Sequence, residues 1–526
     1  MTVSPTYPGV YLTETASIPH NVVPATTNLT AFVGAYAKGP VGRAVLVSTW
    51  PQFEALYGGV VAGNLASYAV WQFFQNGGVG AWIVRITPGG NEDAATATVS
   101  AGGLELTASS PGAWGDALSV GLTTGSVSVG GAATPVATLT TTLTTASGAS
   151  TVETLTNLPA ASLGALAAAI DQRSRYVTAG IPSGGDATAA PTAFDRTALA
   201  GGGDGTWTEA SFVASVEAAL GFGADPSPLD TIAPQVFNLL AVPDLALVAG
   251  SAATYGTIVE FCAKRQAFAL VDPPLPPGTA AATLWPSPTP AAAGTSSDAL
   301  TWAEPLLTLD GGAGAMYYPW LQIPDPANGQ RPVLVPPSGS IAGVYAATDI
   351  ARGVWKAPAG TAAALVGVTG LADPTIDDTT NGILNVAGVN CVRAFPVYGT
   401  VVWGARTLAG NDLLGSPSKY VPVRRLTDFI EQSLEQSLRW AVFEPNSAPL
   451  WASITLEVTS FMQGLFAEGA FAGSTAAAAY TVVCDATTTT SQDMLEGIVN
   501  VNVGFAPVDP AEFVMLNIQI RALPAS

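Results

Sequence analysis

The residue types that usually carry chemistry are scarce in this chain of 526 residues. Its one histidine, His20, lies between Pro19 and Asn21, so neither a multi-histidine metal centre nor a Ser-His-Asp arrangement can be built from it. Cys262, Cys391 and Cys484 are far apart and form no CxxC pair, and each sits in an apolar stretch, which predicts reduced thiols in the core. Gly201-Gly-Gly-Asp-Gly205 lacks the Lys-Ser/Thr of a phosphate-binding loop and reads as a flexible turn. Asp377 beside Asp378, Lys356 beside Trp355 and twelve tryptophans could be taken for catalytic or sugar-binding groups, but packing and solvated loops explain them more simply. No catalytic, metal or cofactor site is expected, and the chain is not expected to be an enzyme.

The composition points toward contacts with other chains. Eighteen Lys and Arg against 38 Asp and Glu give a net charge of −20, yet only 11% of residues are charged and 48% are hydrophobic. A typical soluble domain carries about a quarter charged residues. So little charge suggests a surface hidden in partner contacts, with self-assembly the first expectation. The acidic balance disfavours nucleic acid as a partner, because phosphates repel it. The N-terminus has neither a basic n-region nor an apolar h-region, and no long apolar run follows, so a cytosolic chain without direct membrane insertion is expected.

The length implies several compact units. Four prolines within residues 1–24 predict an extended arm. Ala31–Tyr36 and Ala44–Val47 then read as strands. Thr49 and Gln52 have capping-box spacing before a short helix that stops at Gly58, and Leu65–Phe73 has helical periodicity before Asn76-Gly-Gly78 and a buried strand over Ala81–Ile86. No Lys or Arg occurs between Arg85 and Arg173, and this Thr/Ala/Gly/Val-rich stretch marks a β-rich insertion. Val236–Val242 and Ala267–Val271 read as buried parallel strands around a helix over Thr254–Arg265. Arg424–Phe443 has the clearest helical periodicity, with Leu426, Phe429, Ile430, Ser433, Leu434, Leu438 and Ala441 as its buried stripe. A second helix is expected around Val458–Phe466, with strands at Tyr480–Cys484 and Val499–Val503. The alternation in Glu512–Ile520 predicts a final strand.

Taken together these segments resemble the contractile tail sheath family of phages and phage-derived injection systems. The resemblance rests on Pro8-Gly-Val-Tyr11, Ala31-Phe-Val-Gly34 with Lys38-Gly-Pro40, and Asn76-Gly-Gly78 before Trp82-Ile-Val-Arg85. Further blocks are Ser110-Pro-Gly-Ala-Trp-Gly115, Gly201–Gly205, Tyr318–Gln322, Val335–Gly339 and Gly353–Pro358. In the last third they are Trp403–Leu408, Val423–Arg425, Phe443–Asn446, Pro449–Trp451 and Pro507–Phe513. Residues 120–200 and 275–310 carry no recognisable block. The resemblance implies a six-start helical sheath of this chain around an inner tube protein, with baseplate and tail-terminator proteins as further partners. The subunit would polymerise in an extended, metastable form and contract to drive the tube through an envelope. Such a particle would assemble in the bacterial cytoplasm as a phage tail or tail-like device and leave by lysis.

The expected fold class is α/β and α+β multidomain: a mixed-sheet α/β core, a β-rich insertion and a C-terminal α+β domain. Its expected parts are an arm over 1–24, an α/β sheath domain over 25–90 plus 201–375, an outer insertion over 91–200, and an inner domain over 376–526 ending in a linking strand over 512–521. Tyr7, Val10, Tyr11 and Leu12 in the arm, and Phe513, Val514, Leu516, Ile518 and Ile520 in the last strand, are the expected inter-subunit contacts, added as strands to neighbouring sheets. Pairing of these termini within one subunit is the alternative. The Arg393–Arg439 window is net +2 in an acidic chain, so Arg393, Arg406, Lys419, Arg424, Arg425 and Arg439 form the expected tube-facing basic patch. The competing function class is a β-rich carbohydrate-binding protein or hydrolase, suggested by the tryptophans, the acidic groups and the Thr/Gly-rich insertion.

Overall fold

The structure, a computed structural model, describes residues 21–513 and Met515, apart from 89–93, 130–131, 145–147, 222–236, 249, 275–294, 308 and 310. His20, Tyr7, Val10, Tyr11, Leu12, Val514, Leu516, Ile518 and Ile520 lie outside the described residues. The chain divides into a larger unit, Thr26–Arg425, and a smaller one, Met1–Ala25 with Leu426–Ser526.

The larger unit opens with β1 (Leu29–Gly34), β2 (Ala44–Val47), α1 (Trp50–Tyr57), α2 (Leu65–Gln75) and β3 (Gly80–Arg85). The insertion follows as β4 (Thr98–Ala101), β5 (Leu104–Ala108), β6 (Leu118–Val129), β7 (Ala132–Thr144), β8 (Ser150–Pro159), α3 (Leu163–Arg173), β9 (Val177–Gly180) and β10 (Phe194–Ala198). The core resumes with α4 (Glu209–Ala219), β11 (Leu239–Ala241), α5 (Ala252–Lys264), β12 (Phe268–Val271), α6 (Ser296–Ala303), β13 (Gly314–Tyr318), β14 (Leu321–Asp325), β15 (Arg331–Val335) and α7 (Ser338–Arg352). It closes with β16 (Gly370–Leu371), α8 (Asp378–Ala387), β17 (Val389–Phe395) and β18 (Gly399–Val402).

Eight strands form the central sheet in the order β18-β17-β13-β12-β11-β1-β3-β2. From β17 to β3 every neighbour is parallel, and antiparallel β18 and β2 close the two ends. Successive side chains enter two separate cores. Phe32, Ile83, Leu239, Phe268 and Tyr317 pack with α1, α2 and α7 on one face. Val33, Trp82, Leu240, Ala269, Met316 and Cys391 pack with α4, α5, α6 and α8 on the other. Burial on both faces is why these strands read as continuous apolar runs.

Local signals place the helices. The Thr49 side chain accepts from Gln52 N at the start of α1, Gln52 Oε1 accepts from Ser48 N, and Gly58 ends the helix at φ +98°. A side chain on Gly339 would overlap the Ala69 backbone, so glycine in Val335-Pro-Pro-Ser-Gly339 is what lets α7 cross close over α2. The expected inner-domain boundary at residue 376 differs from the contacts. β17 adds to β13 in parallel, which carries the central sheet past residue 376, and the larger unit runs to Arg425. Partner choice between β13 and β17 is a long-range event that a composition change does not mark.

The insertion is β-rich, as its composition predicts. One small sheet, β4-β5-β9, and a four-stranded sheet, β10-β6-β7-β8, enclose α3 around Leu106, Val120, Leu139, Leu158, Leu166 and Ile170. The chain leaves and re-enters through a short antiparallel ladder, Ala95 with Gly203 and Thr98 with Ala200. The Gly201–Gly205 run is therefore pinned rather than flexible. Gly203 exchanges both backbone bonds with Ala95, Gly202 N donates to Asp116 Oδ1, and Asp204 Oδ1 accepts from Ala113 N.

α9 (Val421–Ser437) begins in the larger unit, and its remainder opens the C-terminal part of the smaller one. Leu426, Phe429, Ile430 and Ser433 are buried, while Leu434, Leu438 and Ala441 are half-buried. α10 (Ala448–Ala467), longer than its Val458–Phe466 core signal, precedes α11 (Ala476–Ala479), β19 (Tyr480–Val483), α12 (Ser491–Leu495) and β20 (Asn502–Phe505). β19 and β20 form a two-stranded antiparallel sheet against α10, where Tyr480 OH donates to Gln463 Oε1 and Thr455 Oγ1 to the Cys484 carbonyl.

Candidate assembly surfaces

The smaller unit holds the described ends of both terminal segments. Val23 N and Ala25 N donate to Ser437 Oγ and Ser433 Oγ, so the chain where the expected arm ends runs along α9. At the other end Phe513 is 75% exposed and not part of a strand. Among the described residues neither β19 nor β20 has a partner on its outer edge. Phe471 packs against Tyr480 and Phe505 at 6.1 and 5.5 Å between ring centroids, holding the small sheet to the unit. Val442, Phe443, Leu456, Leu495 and Met515 also stand in solvent, and Phe443 does so with φ +72°. A non-glycine residue held there carries a strain cost. Just beyond it, Asn446 is fixed twice: it accepts from the Trp451 indole and donates to the Ile498 carbonyl.

The six basic residues do not form one open patch. Arg406 is buried, and its Nη1 donates to the Asn385 and Gly410 carbonyls and to Asp412 Oδ1. Arg425 is buried in a two-pronged pair with Asp349 at 2.9 and 2.7 Å, donates to the Thr27 carbonyl and lies 4.9 Å over the Tyr345 ring. Both serve the interior, which corrects the expectation that they face a tube. Arg393 pairs with Asp378 at 2.7 Å over the Phe395 ring, and Lys419 pairs with Asp412 at 2.7 Å. The hydrogen bond from Lys419, with Arg406 on the same carboxylate, holds Asp412 below the usual carboxylate range. Arg424 is half-buried and Arg439 exposed. A charge count along the chain cannot separate an interior guanidinium from a surface one.

Four sequence blocks meet at Arg85, which the sequence left unexplained. Its guanidinium is buried and donates to the carbonyls of Tyr36, Ala37, Gly39 and Pro111. Burial lowers its pKa to about 10, with the Asp204 carboxylate pulling the other way. Gly39 N donates to Ser110 Oγ, and the Lys38 ammonium sits 5.8 and 5.7 Å over the Trp114 and Tyr176 rings. Lys38-Gly-Pro40, Trp82–Arg85, Ser110–Gly115 and Gly201–Gly205 thus form one junction that fastens the insertion to the core. The lone arginine ending an apolar strand was the available signal.

Two buried carboxylates also escaped the sequence reading. Asp244 accepts from Ala35 N and Ala66 N, and Asp272 accepts from Ser338 N, each at the N-terminus of a helix. Burial pushes them up to about 6 and about 7. The cysteines are buried and free, and burial raises Cys391 to about 12, so its thiol is a poor nucleophile at neutral pH. Among the described residues no group of three or more His, Cys, Asp or Glu is placed to hold a metal ion. No helix among them is long and apolar enough to cross a membrane.

Comparison with known proteins fits this arrangement. A family described as phage tail sheath protein central domain matches residues 229–408, and one described as phage tail sheath C-terminal domain matches 415–521. The tail sheath protein of Enterobacteria phage T4 is 30% identical over 157 residues, a match covering 30% of this chain and 22% of that protein's length. The sheath of an extracellular contractile injection system, PVC, in its contracted state shares the fold at TM-score 0.57 and 21% identity over 98% of both chains. The contracted helical sheath of the anti-feeding prophage does so at 0.54 and 24%, over 98% of this chain and 99% of that one. A sheath tail protein from Listeria innocua matches at 0.59 and 13%, over 94% of each chain. With the two sheath domain families together spanning more than half of its residues, the chain belongs to the contractile tail sheath protein family.

Proposed function

We propose that this chain is the structural subunit of a contractile sheath, polymerising helically around an inner tube and contracting to drive that tube through a target envelope. The observation that carries the reading is the smaller unit. That unit holds an open two-stranded sheet, several exposed apolar side chains and the roots of both terminal segments. Residues 7–12 and 513–520 add as strands to β19–β20 of neighbouring copies, keeping the polymer connected while subunit bodies rotate. The work is mechanical. Two packings that differ by a few kcal/mol per subunit, summed over many subunits, supply a one-way stroke. Arg439 is the basic residue that best fits a tube contact, because Arg406 and Arg425 are spent internally. Baseplate and terminator proteins cap the polymer, which assembles in the bacterial cytoplasm and is released by lysis as part of a tail-like particle. No observation favours the carbohydrate-binding reading: Trp82, Trp207, Trp320 and Trp451 are packed inside.

Electron microscopy of the purified chain tests this reading, with ridged tubes expected. Removing residues 1–12 should leave a folded subunit that forms no tubes. Normal tubes from that truncation would overturn the strand-exchange reading, and discrete particles from the intact chain, with tube protein supplied, would overturn the sheath reading itself.

A further inference from the structure

The four-stranded sheet of the insertion ends in a ribbon that outruns its neighbours. β6 and β7 pair as far as Val129 with Ala132, but β10 leaves β6 at Leu122 and β8 leaves β7 at Val136. Beyond those points residues 123–128 and 132–135 are exposed. Backbone direction alternates along β6. The Leu118 carbonyl accepts from Leu199 N, on the side away from β7. Pro135, opposite Ser126, likewise turns its carbonyl outward, to Ala160 N. The N–H and C=O of Thr124, Ser126 and Ser128 therefore point away from β7, and no strand among the described residues meets them.

The other edges of this sheet are blunted in ways that proteins use against edge-to-edge pairing. β10 carries Asp195 and Arg196 and a register shift before Thr197. On β8, Glu153 is bonded to Ser174 and Arg175, Arg173 donates to the Thr156 carbonyl, and Asn157 has φ +55°. The tip of β7 has Pro135, which offers no N–H. β6 has none of these devices from Thr124 to Ser128, and the sequence has no charged residue between Asp116 and Glu153.

We infer that Thr124–Ser128 pairs antiparallel with the same segment of a second copy of this chain, Ser126 facing Ser126. In that register Thr124 faces Ser128 of the other copy, and each outward N–H meets an outward C=O. The side chains fit as well. Gly125, with open space where a Cβ would stand, lies opposite the exposed Val127 of the other copy, and the remaining pairs are hydroxyl against hydroxyl. An uncharged edge meeting its own copy brings no like charges together. Such a contact has twofold symmetry, which a polar helical polymer lacks between its own subunits. It joins free subunits, or two particles lying side by side, and it stands independently of the sheath reading.

Cysteine cross-linking of the full-length chain tests the register. Ser126→Cys should give a disulfide-linked dimer under mild oxidation. Thr124→Cys and Ser128→Cys should each do so poorly alone and well when mixed. Ser126→Pro removes an N–H that points away from β7, at an edge position where a proline is tolerated, so the fold should persist, checked by its melting temperature, while self-association, or side-by-side bundling where tubes form, weakens by about tenfold or more. No dimer from Ser126→Cys, equal cross-linking by Thr124→Cys alone, or unchanged association of a folded Ser126→Pro variant would each overturn the inference.

Discussion

The central sheet and the insertion sheet draw on much the same Val, Leu, Ala and Gly, yet they meet water differently. From β17 to β3 the central strands are parallel and covered on both faces, and the polar groups drawn in with them, Arg85, Asp244 and Asp272, are hydrogen-bonded to the backbone. In the insertion one face of each sheet is buried, and the far end of β6 and β7 has no cover on either face. The first region spends its polar groups on holding itself together; the second leaves backbone groups open to another chain. Low overall charge therefore means different things in the two places, a dry interior in one and an undefended edge in the other.

The junction at Arg85 belongs to both regions and should give the largest effect. Arg85→Leu leaves the Tyr36, Ala37, Gly39 and Pro111 carbonyls without their donor and should cost about 4 kcal/mol or more, seen as a large drop in melting temperature for the whole larger unit. Leu139→Ala opens the insertion core instead. It should cost about 2–4 kcal/mol and make Arg173, Arg175 and Arg196 early trypsin sites while the central sheet stays protected, so simultaneous loss of both would break the distinction.

Acidity separates the regions by a smaller margin. Asp244 and Asp272 have folded pKa values raised above the unfolded carboxylate value, so the folded chain keeps protons that the unfolded chain has released. Stability should therefore be greatest below about pH 4 and fall as pH rises toward and through about 6 to 7, read as a declining melting temperature between pH 5 and pH 8. Asp272→Asn keeps the Oδ1 that accepts from Ser338 N and should flatten that slope, since Oδ2 has no protein partner. The smallest change is at a helix start. Thr49→Ala removes the α1 cap and should cost about 1 kcal/mol, measured by denaturant unfolding.

Features that depend on a few neighbouring residues were legible in the sequence. The Thr49 cap, the Gly58 stop, the buried strand ending at Arg85 and the buried cysteines all follow from local type and spacing. Features closed over long separations were not. Arg425 and Asp349 are 76 positions apart, and neither announces its partner, so a buried pair looked like surface charge. Gly201–Gly205 looked loose because its bonds go to Ala95, Ala113 and Asp116. Glu512–Ile520 alternates in the sequence, and that pattern says nothing about which sheet would receive it.

The ladder of Ala95 with Gly203 and Thr98 with Ala200 has a consequence for how such proteins diversify. Because the insertion exits and returns through adjacent backbone positions, the host sheet registers only a short gap, whatever is threaded between them. Closing a long loop costs little more than closing a short one once its ends are held together. The position is a natural graft point, where one lineage can carry a small cap, another a large ornament, and an engineer a foreign domain, on the same core.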